Sequence, residues 1–123
     1  MSRLGNIAWA DLTVPNADQV SSFYEDVLGW KKQGISMGEY DDYVMMLSDE
    51  ETPAAGICHA KGVNKDLPPQ WLIYIEVEDL DKSLAACIAS GGKVHGEKRS
   101  MGKDGKHYCL IQDPAGAFMM ILG

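Results

Sequence analysis

Apolar and polar residues alternate in short runs along most of the chain, and glycine, proline, aspartate and asparagine separate the runs. This alternation is typical of β-strands joined by turns. Two stretches place their apolar residues at helical spacing instead. We therefore expect strands along most of the chain, with two helices between them.

The first helix is predicted to run from about Ala17 to Leu28. Asn16 stands where an N-cap belongs, and Gly29 stands where a helix-ending glycine belongs. The apolar stripe at helical spacing consists of Val20, Phe23, Tyr24, Val27 and Leu28. We expect this stripe to face the core.

The second helix is predicted between Asp79, which is its expected cap, and the pair Gly91-Gly92. Its apolar stripe consists of Leu80, Leu84, Cys87 and Ile88. On this stripe Cys87 is interpreted as a small buried apolar residue.

Both helices belong to an internal repeat. The segments "WADLTVPNADQVSSFYEDVLGWK" and "LIYIEVEDLDKSLAACIASGGKV" align with a constant offset of 63 residues, which places Trp9 on Leu72 and Gly29 on Gly92. Each helix follows one strand and precedes three strand-like segments, so the order βαβββ occurs twice. The modules span about 5–60 and 71–123 of a single domain, 1–123, with a polar linker at about 61–70. One helix for every four strands argues against a doubly wound parallel sheet and predicts an α+β fold.

Composition narrows the classes of partner. A chain of 123 residues is long enough for one domain with a core, and its net charge of −7 argues against a nucleic-acid partner. It lacks an apolar run of roughly 20 residues and shows no secretory signal, so we expect a cytoplasmic protein without a membrane partner. Its three cysteines lack CxxC spacing and are expected to be reduced thiols.

The stretches "FYEDVLGW" and "DPAG", within a doubled βαβββ unit of this length, resemble the vicinal oxygen chelate superfamily. That superfamily includes glyoxalase, bleomycin resistance proteins and extradiol dioxygenases. "PPQWLIYIEVEDLD" is similar to the branch of uncharacterised proteins related to lactoylglutathione lyase. The resemblance covers essentially the whole chain and implies two tandem modules whose mixed sheets form a cavity. It is specific for the fold and not for any one activity.

The resemblance also implies where metal-using members hold their ligands. Counted from the family motifs, three of these positions are Trp9, Leu72 and Met120, and a fourth lies near Gly56 and Ile57. Indole, hydrocarbon and thioether groups do not replace the oxygen and imidazole ligands that Mg, Mn, Fe or Zn prefer. We therefore expect no metal and no other cofactor.

One alternative metal site stays open. His107 and Cys109 are two residues apart and share a strand face, so they could chelate together. A third ligand would have to come from a distant position such as His95 or His59.

Strand alternation, placed on the family fold, implies which side chains line the cavity. The predicted ligand-binding pocket consists of Trp9, Asp11, Leu72, Tyr74, Glu76, Phe118 and Met120. Its apolar walls suit a flat organic molecule and its two acids suit a cation. Ile73, Ile75 and Val77 are expected to pack away from the cavity. In the alternative interpretation, Trp9 and Met120 fill the space of the metal and leave no cavity.

The leading functional hypothesis is metal-independent binding of a small organic molecule, as in the bleomycin-resistance branch. Abundant methionine and aromatic residues suit an apolar subunit contact, so a homodimer is expected. Two alternatives remain: a lyase, isomerase or dioxygenase with one divalent metal on non-standard ligands, and a non-catalytic scaffold. The sequence identifies no catalytic residue, so whether the protein is an enzyme is left open.

Overall fold

The computed structural model describes residues 4–101 and 105–123 and confirms the α+β class. The described chain contains two α-helices, α1 (Ala17–Leu28) and α2 (Leu80–Ala89), and a short 3-10 helix at Gly62–Asn64 in the predicted linker. Its strands are β1 (Ile7–Val14), β2 (Lys31–Ser36), β3 (Asp41–Met46), β4 (Pro53–His59), β5 (Trp71–Glu76), β6 (Lys93–Ser100), β7 (His107–Gln112) and β8 (Phe118–Leu122).

The chain divides into two compact units. The first unit is Ala10–Trp71, and the second unit is formed by residues 4–9 together with the described part of 72–123. The strand order of the first unit is β2-β3-β4-β1, in which β1 runs parallel to β4. The second unit repeats this arrangement with the order β5-β8-β7-β6, in which β5 runs parallel to β8. The order βαβββ predicted from the repeat therefore gives two four-stranded arrangements of the same kind.

Helix α1 has the predicted bounds but exposes a different face. Gly29 ends it in the left-handed conformation, with φ of 77°, and its N–H donates to the Glu25 carbonyl. Asn16 occupies the N-cap position as predicted, and its carbonyl accepts from the Val20 N–H. Its side chain makes no cap hydrogen bond, because the Asn16 amide donates to the Gln19 side chain instead.

The predicted burial of the apolar stripe of α1 is largely wrong. Phe23, Val27 and Leu28 are 55%, 58% and 51% exposed. The buried residues of the helix are Ala17 and Ser21. These two small side chains are four residues apart and lie on one face, which lets the helix approach the sheet closely. The core beneath it consists of Leu12, Val14, Ala17, Met45 and Ile57, with Val20 and Tyr24 packed against it.

Helix α2 begins as predicted, since the Asp79 carboxylate accepts a hydrogen bond from the Lys82 N–H. Leu80 is buried, whereas Cys87 is only half-buried and Ile88 is 64% exposed, so the expected burial of the last turn is wrong. The helix packs over β6 and β7. Ile73 on β5 is 36% exposed.

Within the described ranges, neither helix combines the length and the apolar character needed to cross a membrane. Cys58, Cys87 and Cys109 form no disulfide.

Candidate functional site

Helix α2 packs on one face of the second unit's sheet. We call the other face, which points away from α2, the open face. Ile111 and Ile121 line a cavity together with residues of α2, which fixes their side of the sheet as the helix side. Alternate strand residues point to opposite sides. Leu110 and Met120, which are register partners next to those isoleucines, therefore belong to the open face, and Tyr74 joins them as the β5 partner of Met120.

The open face has two parts that differ in burial. The buried centre consists of Leu72, Tyr74, Met120 and Leu122, all 7% exposed or less. The half-buried aromatic rim consists of His95, Arg99, Tyr108, Gln112 and Phe118. A small molecule can reach the aromatic rim more readily than the buried centre.

Three residues of the predicted pocket meet in the buried centre. Tyr74 lies beside Met120 in the parallel pairing of β5 with β8, and Leu72 precedes Tyr74 on the same face. Leu72 is 1% exposed and Met120 is 5% exposed. Close burial of this kind favours filled packing at the centre over an open cavity.

Phe118 belongs to the aromatic rim. Its ring lies 5.2 Å from the His95 ring, centroid to centroid. His95 Nε2 donates to Gln112 Oε1 at 2.8 Å, and Gln112 Nε2 donates to the Gly116 carbonyl at 3.1 Å. These bonds hold an imidazole and an amide beside the phenyl ring, so this end of the rim is both apolar and polar.

Tyrosine and arginine form the other end of the aromatic rim. The Arg99 guanidinium carbon lies 6.0 Å from the centre of the Tyr108 ring, within the range of a cation–π contact. Tyr108 in turn lies 6.1 Å from the Tyr74 ring of the buried centre. A planar cation is thus held over an aromatic surface.

Glu76 is on the open face, but its carboxylate is paired with a cation. Its carboxylate forms an ion pair with the Lys106 ammonium, and the Glu76 side chain is 20% exposed. Because the Glu76 carboxylate is already paired, it is a weaker binding group for the cationic ligand that the sequence suggested.

The last two predicted pocket residues lie on β1. Trp9 is half-buried and belongs to the second unit. Asp11 belongs to the first unit, where it pairs in register with Gly56 and acts electrostatically on Cys58 together with Asp42. Asp11 is therefore placed with Cys58 and Asp42 within the first unit.

The family's metal positions do not fit a divalent metal in this chain. Trp9, Leu72 and Met120 offer an indole, a hydrocarbon and a thioether, and Ile57, at the fourth position, is fully buried in the core of the first unit. Such groups do not supply the oxygen and imidazole donors of these metals. Elsewhere, the described residues bring no three of His, Cys, Asp and Glu together as a metal site.

The alternative ligands His107 and Cys109 are not joined by a third donor in the described structure. The Cys109 thiol is 2% exposed, and burial raises its pKa. His107 Nδ1 lies 3.2 Å from the Gly105 carbonyl, while His95 is engaged with Gln112 on the opposite face of the sheet. A protonated thiol is a poor metal ligand and a poor nucleophile.

His59, the other proposed donor, lies in the first unit between two carboxylates. Its Nε2 is 3.6 Å from Asp18 Oδ1 and its Nδ1 is 3.5 Å from Asp42 Oδ1. The Tyr43 hydroxyl also donates to Asp18, and mainly this hydrogen bond raises the pKa of Tyr43 to about 12. His59 is thus packed within an acidic cluster of its own unit.

Several residues of the open face were not predicted from the sequence to belong to the pocket. Arg99, His95 and Gln112 come from β6 and β7, and Lys106 precedes β7. Alternation could have placed them on a face, as it did for Phe118. Their meeting depends on cross-strand register, including the irregularity between His95 and Arg99.

Comparison with known proteins identifies the family. Residues 6–121 match the model of the glyoxalase/bleomycin resistance protein/dioxygenase superfamily, and the chain belongs to that superfamily. The resemblance drawn from "FYEDVLGW" and "DPAG" is thereby confirmed.

Curated relatives share the match over almost the whole chain. CFP32 of Mycobacterium tuberculosis (strain CDC 1551 / Oshkosh), whose glyoxylase name is provisional, is 29% identical over 94% of this chain and 44% of its own length. DnrV of Streptomyces peucetius, an anthracycline biosynthesis protein, is 27% identical over 92% of this chain and 39% of its own length. The chain therefore spans less than half the length of these relatives.

Solved structures support the fold. A superfamily member from Vibrio splendidus 12B01 aligns with a TM-score of 0.60 and 14% identity, covering 93% of this chain and 95% of its own. Methylmalonyl-CoA epimerase from Mycobacterium tuberculosis aligns with a TM-score of 0.60 and 14% identity, covering 99% and 89%. At these identities the likeness concerns the fold alone.

Proposed function

We propose that this protein binds a small organic molecule on the aromatic rim of the open face, without a metal ion. The observation that carries the proposal is the composition of the open face. Leu72 and Met120 occupy two family metal positions, are almost fully buried, and adjoin half-buried aromatic side chains. An apolar wall with a few polar groups is the usual composition of a small-molecule site.

The aromatic rim offers both affinity and orientation. A flat ligand can pack against the exposed parts of the Phe118 and Tyr108 rings, which supply apolar area and defined stacking geometry. His95, Gln112 and Arg99 border these rings and can hydrogen-bond to the ligand's polar groups. The buried centre beneath keeps the rim side chains in place.

One relative is named for a role in small-molecule metabolism, since DnrV is called an anthracycline biosynthesis protein. No observation on the described residues favours the metal-dependent lyase, isomerase or dioxygenase, because no third donor joins His107 and Cys109.

A neutral aromatic amide tests the proposal. Protein purified without chelator should bind 2-naphthamide in calorimetric titration, and treatment with EDTA should leave the affinity unchanged. Phe118→Ala should weaken binding at least about ten-fold, because an aromatic anchor contributes a large share of such affinity. Met119→Ala is the matched control, since Met119 is the register partner of Ile111 on the helix side.

Two results would contradict the proposal. One is elemental analysis showing about one Zn, Mn, Fe or Ni per chain together with binding that is lost in EDTA. The other is an equal loss of affinity in the Phe118 and Met119 variants.

A further inference from the structure

The first unit contains a cavity of its own beside the last turns of α1. Its aromatic lining consists of Tyr24 on α1, Trp30 after the helix and Trp71 at the start of β5. The other described lining residues are apolar: Ala10, Leu28, Ala54 and Ala55. The volume of about 310 Å³ lies at the lower end of the range for small-molecule sites.

The three aromatic rings are inclined to one another and do not stack flat. The ring centres of Tyr24 and Trp71 are 5.5 Å apart, with 70° between the ring planes. Trp30 and Trp71 are 6.1 Å apart at 79°, and Tyr24 and Trp30 are 6.0 Å apart at 40°. Because inclined rings form adjoining walls, a group in the cavity can touch more than one aromatic surface.

The polar edge of Trp71 is already engaged. Its Nε1 donates to the Tyr24 hydroxyl at 3.3 Å. The edge of an aromatic ring is electrostatically positive and its face is negative. The hydrogen bond directs the positive N–H edge of Trp71 to Tyr24, so Trp71 offers the cavity ring surface. Aromatic surface of this kind attracts a cation.

The cavity is poor in hydrogen-bond acceptors. None of its described lining side chains carries a charge, and the Tyr24 hydroxyl oxygen already accepts from Trp71. A primary ammonium would lose its hydrogen bonds to water there without gaining equivalent ones. A quaternary ammonium has no N–H groups and therefore needs no acceptor.

The charge of the first unit favours a cation. Residues 10–71 contain eleven acidic residues, four lysines and no arginine, so they carry the whole net charge of −7. The rest of the chain contains seven acidic and seven basic residues. The last turn of α1 contains Glu25 and Asp26 and no basic residue, and the helix dipole is negative at this end. The four lysines of the unit do not line the cavity: Lys31, Lys32, Lys61 and Lys65.

We propose that this cavity binds the quaternary ammonium group of a small organic molecule. The methyl groups of the ligand pack on the rings of Tyr24, Trp30 and Trp71, and its charge is attracted by the ring surface and by the acidic unit. This site belongs to the first unit and the aromatic rim belongs to the second, so either site can exist without the other.

Three small compounds separate the charge of the ligand from its shape. Choline and 3,3-dimethyl-1-butanol have nearly the same shape, but carbon replaces the quaternary nitrogen in the alcohol. Ethanolamine keeps the positive charge and lacks the methyl groups. In titrations of the wild-type chain followed by tryptophan fluorescence, choline should bind at least about ten-fold more tightly than either of the other two.

Paired variants then locate the binding group. Trp30→Leu keeps an apolar side chain but removes the ring, so it should lower the ratio of choline to alcohol affinity at least about five-fold. Trp30→Phe should keep part of the ratio, because a ring remains. Tyr40→Leu is the matched control, since it removes an aromatic ring of the same unit that does not line the cavity, and it should leave the ratio unaltered. Thermal unfolding of each variant verifies that it is folded.

Each alternative outcome overturns the proposal in a different way. Equal affinity for choline and the alcohol would mean that the cavity is apolar without selecting a cation. Ethanolamine binding as tightly as choline would reduce the effect to the general negative field of the protein. Equal losses in the Trp30→Leu and Tyr40→Leu variants would place the binding outside the cavity, and the absence of choline binding would exclude the site. Should Trp30→Leu not fold, the wild-type ratio and Trp30→Phe still decide the matter.

Discussion

Cys58 shows how strongly one side chain depends on its neighbours. Burial and the nearby carboxylates of Asp11 and Asp42 raise the pKa of its thiol from 9.0 to about 12. Both causes disfavour the thiolate, since the negative charge would lose water and face two other negative charges. Cys58 is thus kept as a neutral thiol, which agrees with a site that uses no cysteine nucleophile.

We predict that Cys58 resists alkylation. With iodoacetamide at pH 8, its modification should be slower than that of an ordinary exposed thiol by on the order of a thousand-fold, because only the thiolate reacts. Peptide mass spectrometry at several times would measure the rate at each cysteine. The same protein unfolded in urea is the control, and there all three cysteines should react alike. Rapid labelling of Cys58 in the folded protein would contradict the prediction.

The raised pKa of Cys58 also makes the free energy of unfolding depend on pH in a definite direction. The unfolded thiol ionises near 9.0 and the folded thiol near 12. The contribution to stability is therefore present in full below pH 9 and is lost as the pH rises from 9 towards 12. In this window the free energy of unfolding of the wild type should fall more steeply than that of Cys58→Ala.

Helix α1 illustrates what periodicity does and does not determine. Its bounds follow from local signals, above all from Gly29, which can adopt the positive φ that ends the helix. The face it buries does not follow from the largest apolar stripe. Ala17 and Ser21 are the buried residues of the helix, and the larger Val20 and Tyr24 pack beside them against the core.

Two valines on α1 give a matched test of this orientation. Val20 packs against the core of the first unit, whereas Val27 is 58% exposed. Val20→Ala should lower the free energy of unfolding by about 1–1.5 kcal/mol, as expected for the loss of roughly two buried methylene equivalents. Val27→Ala should change it by no more than about 0.5 kcal/mol. Urea unfolding measures both values, and a larger loss at Val27 would reverse the assignment of faces.

The aligned glycines of the repeat serve different physical purposes. Gly29 needs its positive φ of 77°, and a Cβ there would meet nothing within 4 Å. Gly92, its counterpart, needs space, because a Cβ would lie 2.7 Å from Cys87 Sγ. The positive φ after α2 falls instead on Gly91, at 94°. The repeat therefore predicts where each helix ends without telling which constraint the glycine meets.

The fold of the chain was more predictable than its site. Alternation and the doubled βαβββ order are local or periodic features, so they predicted the strands and both helices. The side-chain contacts of the open face were not predictable in the same way. The ion pair of Glu76 with Lys106 joins residues 30 positions apart, and Arg99 meets Tyr108 only through a register that includes an irregularity.

The exposed apolar surface of α1 suggests where copies of the chain could assemble. Phe23, Val27 and Leu28 expose a large apolar area on α1. Beside Leu28, the rings of Tyr24, Trp30 and Trp71 line a cavity of about 310 Å³. Apolar and aromatic surface of this kind is enriched where subunits meet.

We propose that a second copy of the chain covers this face of α1. Light scattering at tens of micromolar should give a mass of about 27 kDa, twice the 13.5 kDa of one chain. Val27→Lys should shift the protein towards the monomer, because a buried unpaired ammonium is costly in an apolar contact. Ile88→Lys is the matched control, as Ile88 is 64% exposed on α2 and should tolerate the charge without a change in mass. A monomeric wild type, or the same shift in both variants, would show that the apolar face of α1 is not where two copies meet.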